Sequence, residues 1–397
     1  MTSIDDRAAL RRARVSTSLL FLLFGTALGT WTARIPAIKQ DLSLSDGQLS
    51  VGLLVFAAGA ITGMQAMGRV VDRWGSRRVT VPVAFAEGAA LVLPALAGDL
   101  ALLAGALFLF GTVHGSLNIA MNASAVAVER AWGRPIMSSF HAVYSLGGFL
   151  GAAIGGLFAY GGVAPDVTFL AVGVLAAALA AWSAAWRVPR VGGPVPVTSA
   201  AGAGTGPMPG VLFLGVLAYC CLVGEGAAAD WSTVYLRESL GSSPGFAAAA
   251  YAAFSIGMTG GRLVGDRLAA ALGPVRLVQG CGLLAAAGLG TALLVSNPVA
   301  GVAGFGCLGA GLSCIAPQVF SAAGNRDPAR AGRALARVAS MGYAGFLTGP
   351  VLIGGVAEAT SLPVALGVPV VLALFVAGTA SALRPIPAPM ISRPAGT

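Results

Sequence analysis

The sequence predicts an all-α polytopic membrane protein with twelve transmembrane helices, arranged as two pseudo-symmetric six-helix bundles. Three observations predict this fold class. Of the 397 residues, 56% are hydrophobic and only 10% are charged, whereas a soluble domain carries about 25% charged residues. Apolar runs of around twenty residues, the length of a helix that crosses a bilayer, recur along the chain. A polar segment divides these runs into two sets of six.

Charged residues, proline or glycine bound each predicted span. The first six spans are 15–37, 46–68, 79–97, 100–128, 135–161 and 166–187. The second six are 210–236, 244–263, 275–295, 298–323, 335–357 and 362–383. Pro, Gly, Ser and Thr dominate the stretch between the two sets, a composition typical of a flexible linker. The predicted organisation is a six-helix bundle at 1–187, a cytoplasmic linker at 188–209 and a second six-helix bundle at 210–397.

The distribution of basic residues predicts the orientation in the membrane. Of the 24 basic residues, 21 lie in the two tails, in alternate loops or at the adjoining helix ends. The three exceptions are Arg34, Lys39 and Arg237. The loops near 98, 162–166, 296–298 and 358–361 contain no Lys or Arg. Because basic loops stay in the cytoplasm, both termini are predicted to be cytoplasmic. The preference for Arg over Lys points to a GC-rich bacterium, so the predicted location is the bacterial inner membrane.

Matches between the two halves indicate an internal duplication. They are separated by about 200 residues and fall at equivalent topological positions: Trp31 with Trp231, Asp72-Arg73 with Asp266-Arg267, and Gly148-Phe149-Leu150 with Gly345-Phe346-Leu347. A duplicated six-span unit is a transporter architecture in which the substrate binds between the halves.

The loop after span 2 carries the motif that is most specific. Residues 68–78 read Gly-Arg-Val-Val-Asp-Arg-Trp-Gly-Ser-Arg-Arg. This segment resembles the G-x-x-x-D-R-x-G-R-R signature of the major facilitator superfamily, with Ser76 where that signature often has Arg. The matching residues are Gly68, Asp72, Arg73, Gly75, Arg77 and Arg78. A second, degenerate copy has Asp266 and Arg267, but Arg262 occupies its leading glycine position.

The residues of this loop also have a physical interpretation. Gly68 lets two helices approach closely, and Asp72 can face the positive N-terminal end of a neighbouring helix. The arginines stay with the cytoplasmic surface and its anionic headgroups. If the loop only anchored the protein to the cytoplasmic surface through its positive charges, the arginines would be explained. Asp72 and its spacing from Gly68 and Gly75 would not. The resemblance implies a cytoplasmic latch that holds one state of alternating access.

Three further stretches resemble the fucose-permease-related YbjJ branch of that superfamily: 31–50, 118–148 and 230–241. The substrate of this branch is itself poorly defined. The resemblance implies a rocker-switch transporter in which spans 1, 4, 7 and 10 line a central cavity.

Polar residues inside the spans are the candidate site, because an ionisable group in mid-bilayer is costly unless it faces a cavity or a partner. His114, Asn118 and Asn122 share one face of span 4, since they are spaced i, i+4, i+8. His141 of span 5 is predicted at the depth of Asn122. These side chains could bind a polar cargo, or they could bridge packed helices. Glu87 in span 3 is expected to be structural or to contact a neighbouring span, and its alternative role is proton coupling.

Glu225 in span 7 is the strongest single candidate. An apolar surrounding favours the protonated form of a carboxylate, so Glu225 could carry a proton through the transport cycle. Gly224 and Gly226 beside it leave room for a ligand or a helix bend. The alternative role of Glu225 is a hydrogen bond between helices.

Four residues near the outer ends of spans 1 and 7 form a second group. Arg34 and Asp230 are predicted to pair and close an outer gate in the inward-facing state, unless each snorkels to the interface. Trp31 and Trp231 could stack on a sugar ring or serve as interfacial anchors. Further cavity candidates by span position are Tyr251, Gln318 and Tyr343.

The predicted function is secondary active transport of a small polar, sugar-like solute, coupled to protons. The alternatives are a drug or metabolite exporter working by proton antiport, and a membrane sensor that binds solute without moving it. No Walker motif, dinucleotide fingerprint or nucleophile elbow is present, so an enzyme is not expected. Nor are a cofactor, a metal, nucleic acid or an oligomer expected. The predicted partners are the solute, protons and the lipid bilayer.

Overall fold

The computed structural model describes residues 4–186, 208 and 210–384, and nearly all of them are helical. In the first half the helices are α1 (Ile4–Asp41), α2 (Asp46–Trp74), α3 (Ser76–Val92), α4 (Leu100–Trp132), α5 (Met137–Tyr160) and α6 (Pro165–Ala185). In the second half they are α7 (Val211–Val234), α8 (Pro244–Val295), α9 (Pro298–Leu312), α10 (Ile315–Arg326), α11 (Ala331–Ala359), α12 (Leu362–Ala365) and α13 (Gly367–Thr379). The predicted linker 188–209 lies outside the described residues apart from Met208.

The described chain contains twelve membrane crossings, which confirms the predicted fold class. Eleven segments are long and apolar enough to span a bilayer, and one of them, Gly245–Val295, is 51 residues long. Within it Gly273 has φ 75° and ψ 164°, a conformation outside the helical region, so α8 consists of two crossings. We call residues 244–272 the first arm of α8 and residues 274–295 the second arm. The pairs α9–α10 and α12–α13 each make one crossing.

The loops predicted between spans 2 and 3 and between spans 8 and 9 are wrong in extent. Helix α2 continues to Trp74, Gly75 alone turns the chain with φ 79°, and α3 starts at Ser76. In the second half, Gly273 is the corresponding turn. A positive φ costs glycine nothing, so one residue reverses the chain where hydropathy indicates a loop of ten. Helix α2 and the first arm of α8 therefore extend past their apolar runs, and the charged residues that follow each run belong to these helices.

Helices within each half pack through glycines. Helix α1 lies against α5, and a Cβ added to Gly25 would be 2.2 Å from the Tyr144 carbonyl oxygen. Helix α7 lies against α11, where a Cβ on Gly345 would be 2.4 Å from the Tyr219 carbonyl oxygen. Such backbone approach is the usual basis of helix association in membranes, where van der Waals contact replaces the hydrophobic effect.

The two halves meet mainly at one end of the bundle. We call it the basic end, defined by the turns at Gly75, Gly133, Gly273 and residues 327–330. There α2 packs against α11, and α5 packs against the first arm of α8. Helix α10 also contacts α4 and α5. The other turns between crossings, at 42–45, 97–99, 161–164, 240–243, 296–297 and 360–361, form the opposite end.

Candidate functional site

The first contact between the halves at the basic end is built on Asp72 of α2. One oxygen of its carboxylate accepts a hydrogen bond from Gly332 N at 2.7 Å. The other accepts from Arg333 N at 3.3 Å and Arg333 Nε at 2.8 Å. Helix α11 begins at Ala331, so these are N–H groups of its first turn, which have no partner within the helix. Asp72 therefore lies at the positive end of a helix, as its sequence position predicts.

Close backbone approach brings Asp72 within reach of α11. A Cβ on Gly68 would lie 2.8 Å from Ala336 Cβ and 2.9 Å from the Gly332 carbonyl oxygen. One turn earlier on α2, Gln65 Nε2 donates to Ser340 Oγ at 2.8 Å. We call the α2–α11 interface, with Gly68 and Asp72, the first contact.

A second contact joins α5 and the first arm of α8 in the same manner. Both oxygens of Asp266 accept from Ser139 N at 3.2 Å, and α5 begins two residues before Ser139 at Met137. A Cβ on Gly265 would lie 2.7 Å from Ser138 Cβ. Each half thus contributes an aspartate that accepts from the first turn of a helix in the other half.

The signature arginines take no part in these hydrogen bonds. Four of them are exposed at the basic end: Arg73, Arg77, Arg78 and Arg267. In this position their charges can reach lipid headgroups.

Glu129 and Arg130 make a third contact that the sequence did not reveal. Glu129 accepts from Ile136 N at 2.9 Å and Met137 N at 2.8 Å, and it also accepts from Ser321 Oγ of α10. Arg130 Nη2 donates to Asn325 Oδ1 at 3.0 Å. The signal available in the sequence was an acidic residue at the end of a span, just before the next helix begins.

Arg262 is a buried cation between the halves. It is 6% exposed, and its Nη1 donates to Ser145 Oγ of α5 at 2.6 Å. Its Nε is buried and has no hydrogen-bond partner among the described residues. The sequence marked Arg262 only as a departure from the signature, because burial of this position depends on how α8 lies against α5.

The predicted stripe on α4 separates into two parts in the structure. His114 Nδ1 lies 2.6 Å from Glu87 Oε1, and the two side chains are 2% and 0% exposed. The ring of Phe24 stacks on His114 with centroids 3.8 Å apart, and Phe56 and Phe110 complete the enclosure. His114 therefore lies inside the first half, and the expected contact of Glu87 with a neighbouring span is confirmed.

Asn118 and Asn122 contact each other. Asn122 Nδ2 donates to the Asn118 carbonyl oxygen at 2.8 Å, while Asn122 Oδ1 is buried without a partner among the described residues. Asn118 is partly exposed. His141 of α5 contacts aromatic rings on both halves, with centroid distances of 5.5 Å to Phe21 and 5.8 Å to Phe320. Asn122 Oδ1 and His141 Nε2 therefore retain free hydrogen-bonding capacity among the described residues.

Glu225 lies half-buried on α7. It lies within electrostatic reach of Tyr144 of the first half and of Tyr251 of the second. Gly224 and Gly226 were predicted to leave room for a ligand or a helix bend, but other helices pack closely against both. A Cβ on Gly226 would lie 2.6 Å from a backbone oxygen of α11, and one on Gly224 would lie 3.0 Å from a leucine of α9.

The remaining cavity candidates differ in their exposure. Tyr251 is 43% exposed and its ring stacks against Phe254 at 6.0 Å. Gln318 is buried on α10, and Tyr343 is half-buried on α11, where it packs against apolar residues of both halves. Tyr251 and Tyr343 are thus the more accessible of the three.

At the opposite end, the two predicted gate residues do not meet. Arg34 is 3% exposed and its Nη2 donates to the Val163 carbonyl oxygen at 2.6 Å, whereas Asp230 is exposed. The two residues form no ion pair with each other in this conformation. Trp231 Nε1 donates to the Pro350 carbonyl oxygen at 3.1 Å.

Trp31 is enclosed in the first half. Its ring packs against Phe110 and Phe169, with centroids 6.2 and 6.0 Å away. In this conformation neither face is open to a ligand between the halves. No group of three or more His, Cys, Asp and Glu that could hold a metal occurs among the described residues.

The comparisons of this chain with known proteins agree on one family. Residues 17–331 and 216–397 match the model of the Major Facilitator Superfamily. An uncharacterized MFS-type transporter of Yersinia pestis is 35% identical over 374 residues, covering 93% of this chain and 95% of the relative. The uncharacterized transporter y4wD of Sinorhizobium fredii is 34% identical, with 94% and 96% covered. The membrane protein MosC of Rhizobium meliloti is 33% identical, with 86% and 83% covered.

Solved structures share the fold. The crystal structure of the transporter FucP in the outward conformation matches with a TM-score of 0.77 and 16% identity, covering 94% of this chain and 98% of its own. An outward-facing bacterial homologue of the iron transporter ferroportin matches with a TM-score of 0.68 and 13% identity, covering 93% and 99%.

Proposed function

This chain belongs to the major facilitator superfamily of secondary transporters, and we propose that it carries a small polar, sugar-like solute by proton-coupled alternating access. The observation that carries the proposal is the asymmetry of the contacts between the halves. Asp72 and Asp266 each bond to the first turn of a helix in the other half at the basic end. At the opposite end, Arg34 and Trp231 bond only within their own halves.

The basic end is proposed to be cytoplasmic, with both termini on that side, because basic loops are retained there. The structure then corresponds to an outward-facing state, with the cytoplasmic side closed. Similarity to FucP in the outward conformation supports this assignment. In this state Asp72 and Asp266 act as a latch that must open before cargo reaches the cytoplasm.

Glu225 is the proposed proton carrier. Its charge acts on Tyr144 and Tyr251, which belong to different halves. A carboxylate that faces the space between the halves changes its surroundings when they rock, and that change alters its proton affinity. Protonation is thereby linked to the conformational cycle. FucP is described as a fucose:proton symporter, which supports the coupling ion.

The proposed cargo contacts are polar and aromatic groups around Glu225. They come from both halves: Asn118, Asn122, His141, Tyr251, Gln318 and Tyr343. His114, Trp31 and Trp231 are proposed to contribute after a change of conformation, because their groups are engaged within one half here. Arg34 and Asp230 are proposed to pair in the inward-facing state.

The test uses purified protein in liposomes that contain a pH-sensitive dye. Sugars, sugar acids and polyols are added outside without an imposed gradient. We expect internal acidification with one class of solute and its loss in Glu225→Gln, while Glu358→Gln, an exposed carboxylate of α11, serves as the matched control. If no solute causes internal acidification although the protein is folded, the result would contradict the proposal and favour an exporter. Saturable binding without flux would favour a sensor.

A further inference from the structure

Arg262 is a buried charge without an opposite charge in contact. No ion pair of Arg262 occurs in the described part of the chain; the pairs of Arg333 with Asp72 and of Arg330 with Asp327 lie elsewhere. Its hydrogen bond goes to a neutral hydroxyl, Ser145 Oγ, at 2.6 Å. The side chain is 6% exposed, and its Nε makes no hydrogen bond in the described part of the chain.

Such an arrangement is expensive for a guanidinium. Arginine stays protonated in proteins, and a buried charge is normally paired because desolvation costs several kcal/mol per ion. Arg333, at the first contact, follows this rule through Asp72. Arg262 has no such partner, because Asp266, the carboxylate one turn further along α8, accepts from Ser139 N instead. This leaves a place beside Arg262 for a counter-charge carried by a ligand.

The surroundings of Arg262 provide the rest of a binding site. His141 Nε2 is buried without a hydrogen-bond partner among the described residues. His141 lies one helical turn from Ser145 on α5, and Arg262 donates to Ser145 Oγ. A cation and an unused hydrogen-bonding group therefore lie close together between the halves, and Arg262 and Glu225 are both within electrostatic reach of Tyr144.

This region lies just inside the closed basic end. Arg262 is one helical turn from Asp266 along α8, about 6 Å deeper into the bundle at 1.5 Å per residue. Substrate sites of secondary transporters lie at the interface of the repeats. The donors come from α5 of the first half and α8 of the second, so a ligand held here contacts both.

We propose that Arg262 binds a carboxylate of the cargo, so that the solute is a small hydroxylated acid instead of a neutral sugar. This inference rests on the proposed transport function and deepens it by naming the substrate class. Arginine presents parallel N–H donors that match a carboxylate. One carboxylate that enters with one proton is electrically neutral overall, which agrees with Glu225 as the proton carrier.

The experiment compares matched acids and neutral sugars on the full-length protein in nanodiscs. Binding of galacturonate against galactose, and of gluconate against sorbitol, is measured by calorimetry. We expect the acid of at least one pair to bind at least tenfold more tightly than its neutral partner. Arg262→Gln should weaken that binding at least tenfold, whereas Ser145→Ala should retain the preference for the acid.

Two controls keep the result interpretable. Arg262→Lys keeps the charge and should keep the preference for acids with reduced affinity, even if Arg262→Gln unfolds. Cooperative thermal unfolding verifies that each variant is folded. Equal binding of acid and neutral sugar, or binding of no acid by folded protein, would overturn the inference. Proton-coupled flux of a neutral sugar that survives Arg262→Gln would overturn it while leaving the proposed function intact.

Discussion

The two symmetry-related contacts at the basic end share one device and differ at one position. In both, an aspartate accepts hydrogen bonds from the first turn of a helix in the other half. The first contact has Gly68 at the leading position of its signature, and the second has Arg262. Consequently the first brings two backbones together, whereas the second places a cation between the halves.

The difference shows how one duplicated motif can serve two purposes. Both copies retain the bond that closes the basic end. In the first contact Asp72 is paired with Arg333, so its charges are balanced within the protein. In the second contact the arginine lies about one turn from Asp266 along α8 and has no ion pair in the described chain. We therefore assign closure of the basic end mainly to the first contact, and recognition of a negatively charged cargo to the second.

Gly68→Leu should have the largest effect on this comparison, because it breaks the first contact. Its Cβ would fall 2.8 Å from Ala336 Cβ and 2.9 Å from a backbone oxygen, so α2 and α11 must separate. We expect transport to fall more than tenfold, measured as solute flux in liposomes. Gly105→Leu is the control, since a Cβ there meets nothing within 4 Å. Full transport activity of Gly68→Leu would show that close packing of α2 against α11 is not required for transport.

Asp72→Asn should have the next largest effect. The amide keeps an acceptor but loses the charge-assisted bonds to Gly332 and Arg333, and hydrogen bonds to charged groups contribute about 1.5–3 kcal/mol. We expect faster hydrogen exchange of the backbone amides in the first turn of α11, by about tenfold or more. Unchanged exchange there, in folded protein, would show that the aspartate does not hold the contact.

Asp266→Asn should act in the same direction and more weakly. Its two oxygens share the single amide of Ser139 at 3.2 Å, and no ion pair accompanies them among the described residues. A contribution at the lower end of the range for bonds to charged groups, about 1.5 kcal/mol, predicts a rise of up to about tenfold in exchange of the amides that begin α5. The comparison fails if this variant loosens its contact more than Asp72→Asn does.

Arg34→Asp should leave exchange at the basic end nearly unchanged, within about twofold. Arg34 bonds Val163 in its own half at the opposite end, so the contacts of the present conformation do not depend on it. Transport should fall if Arg34 pairs with Asp230 in the inward-facing state. The double variant Arg34→Asp with Asp230→Arg should then recover activity. No recovery relative to either single variant would exclude the pairing.

The fold and the first contact were predictable from local signals. Apolar runs of bilayer length identify helices directly, because the bilayer leaves few other backbone structures. The signature places Asp72 between Gly68 and Gly75 just after a predicted span, where a carboxylate can face the positive start of another helix. Glu225 and Asn118 were identifiable as costly polar groups within apolar sequence.

Other residues required the folded chain. Hydropathy ends a span where the apolar residues end, although α2 and the first arm of α8 continue to Trp74 and residue 272 as helix. His114 was predicted to share a cargo-facing stripe, but the stripe does not reveal that Glu87 lies 2.6 Å away on another helix. Glu129 looked like an ordinary charge at a helix end until α5 and α10 supplied its donors.

The sequence by itself determined the twelve helices, the duplication and the residue types available at each depth. These properties follow from the solvation of side chains and backbone along a single helix, which needs no knowledge of its neighbours. Only the tertiary structure decided which end is closed, which aspartate is paired and which arginine is not. Those outcomes depend on the rotation and approach of helices that are far apart in the chain. For that reason Gly68 and Arg262, at equivalent positions of one motif, have different chemistry.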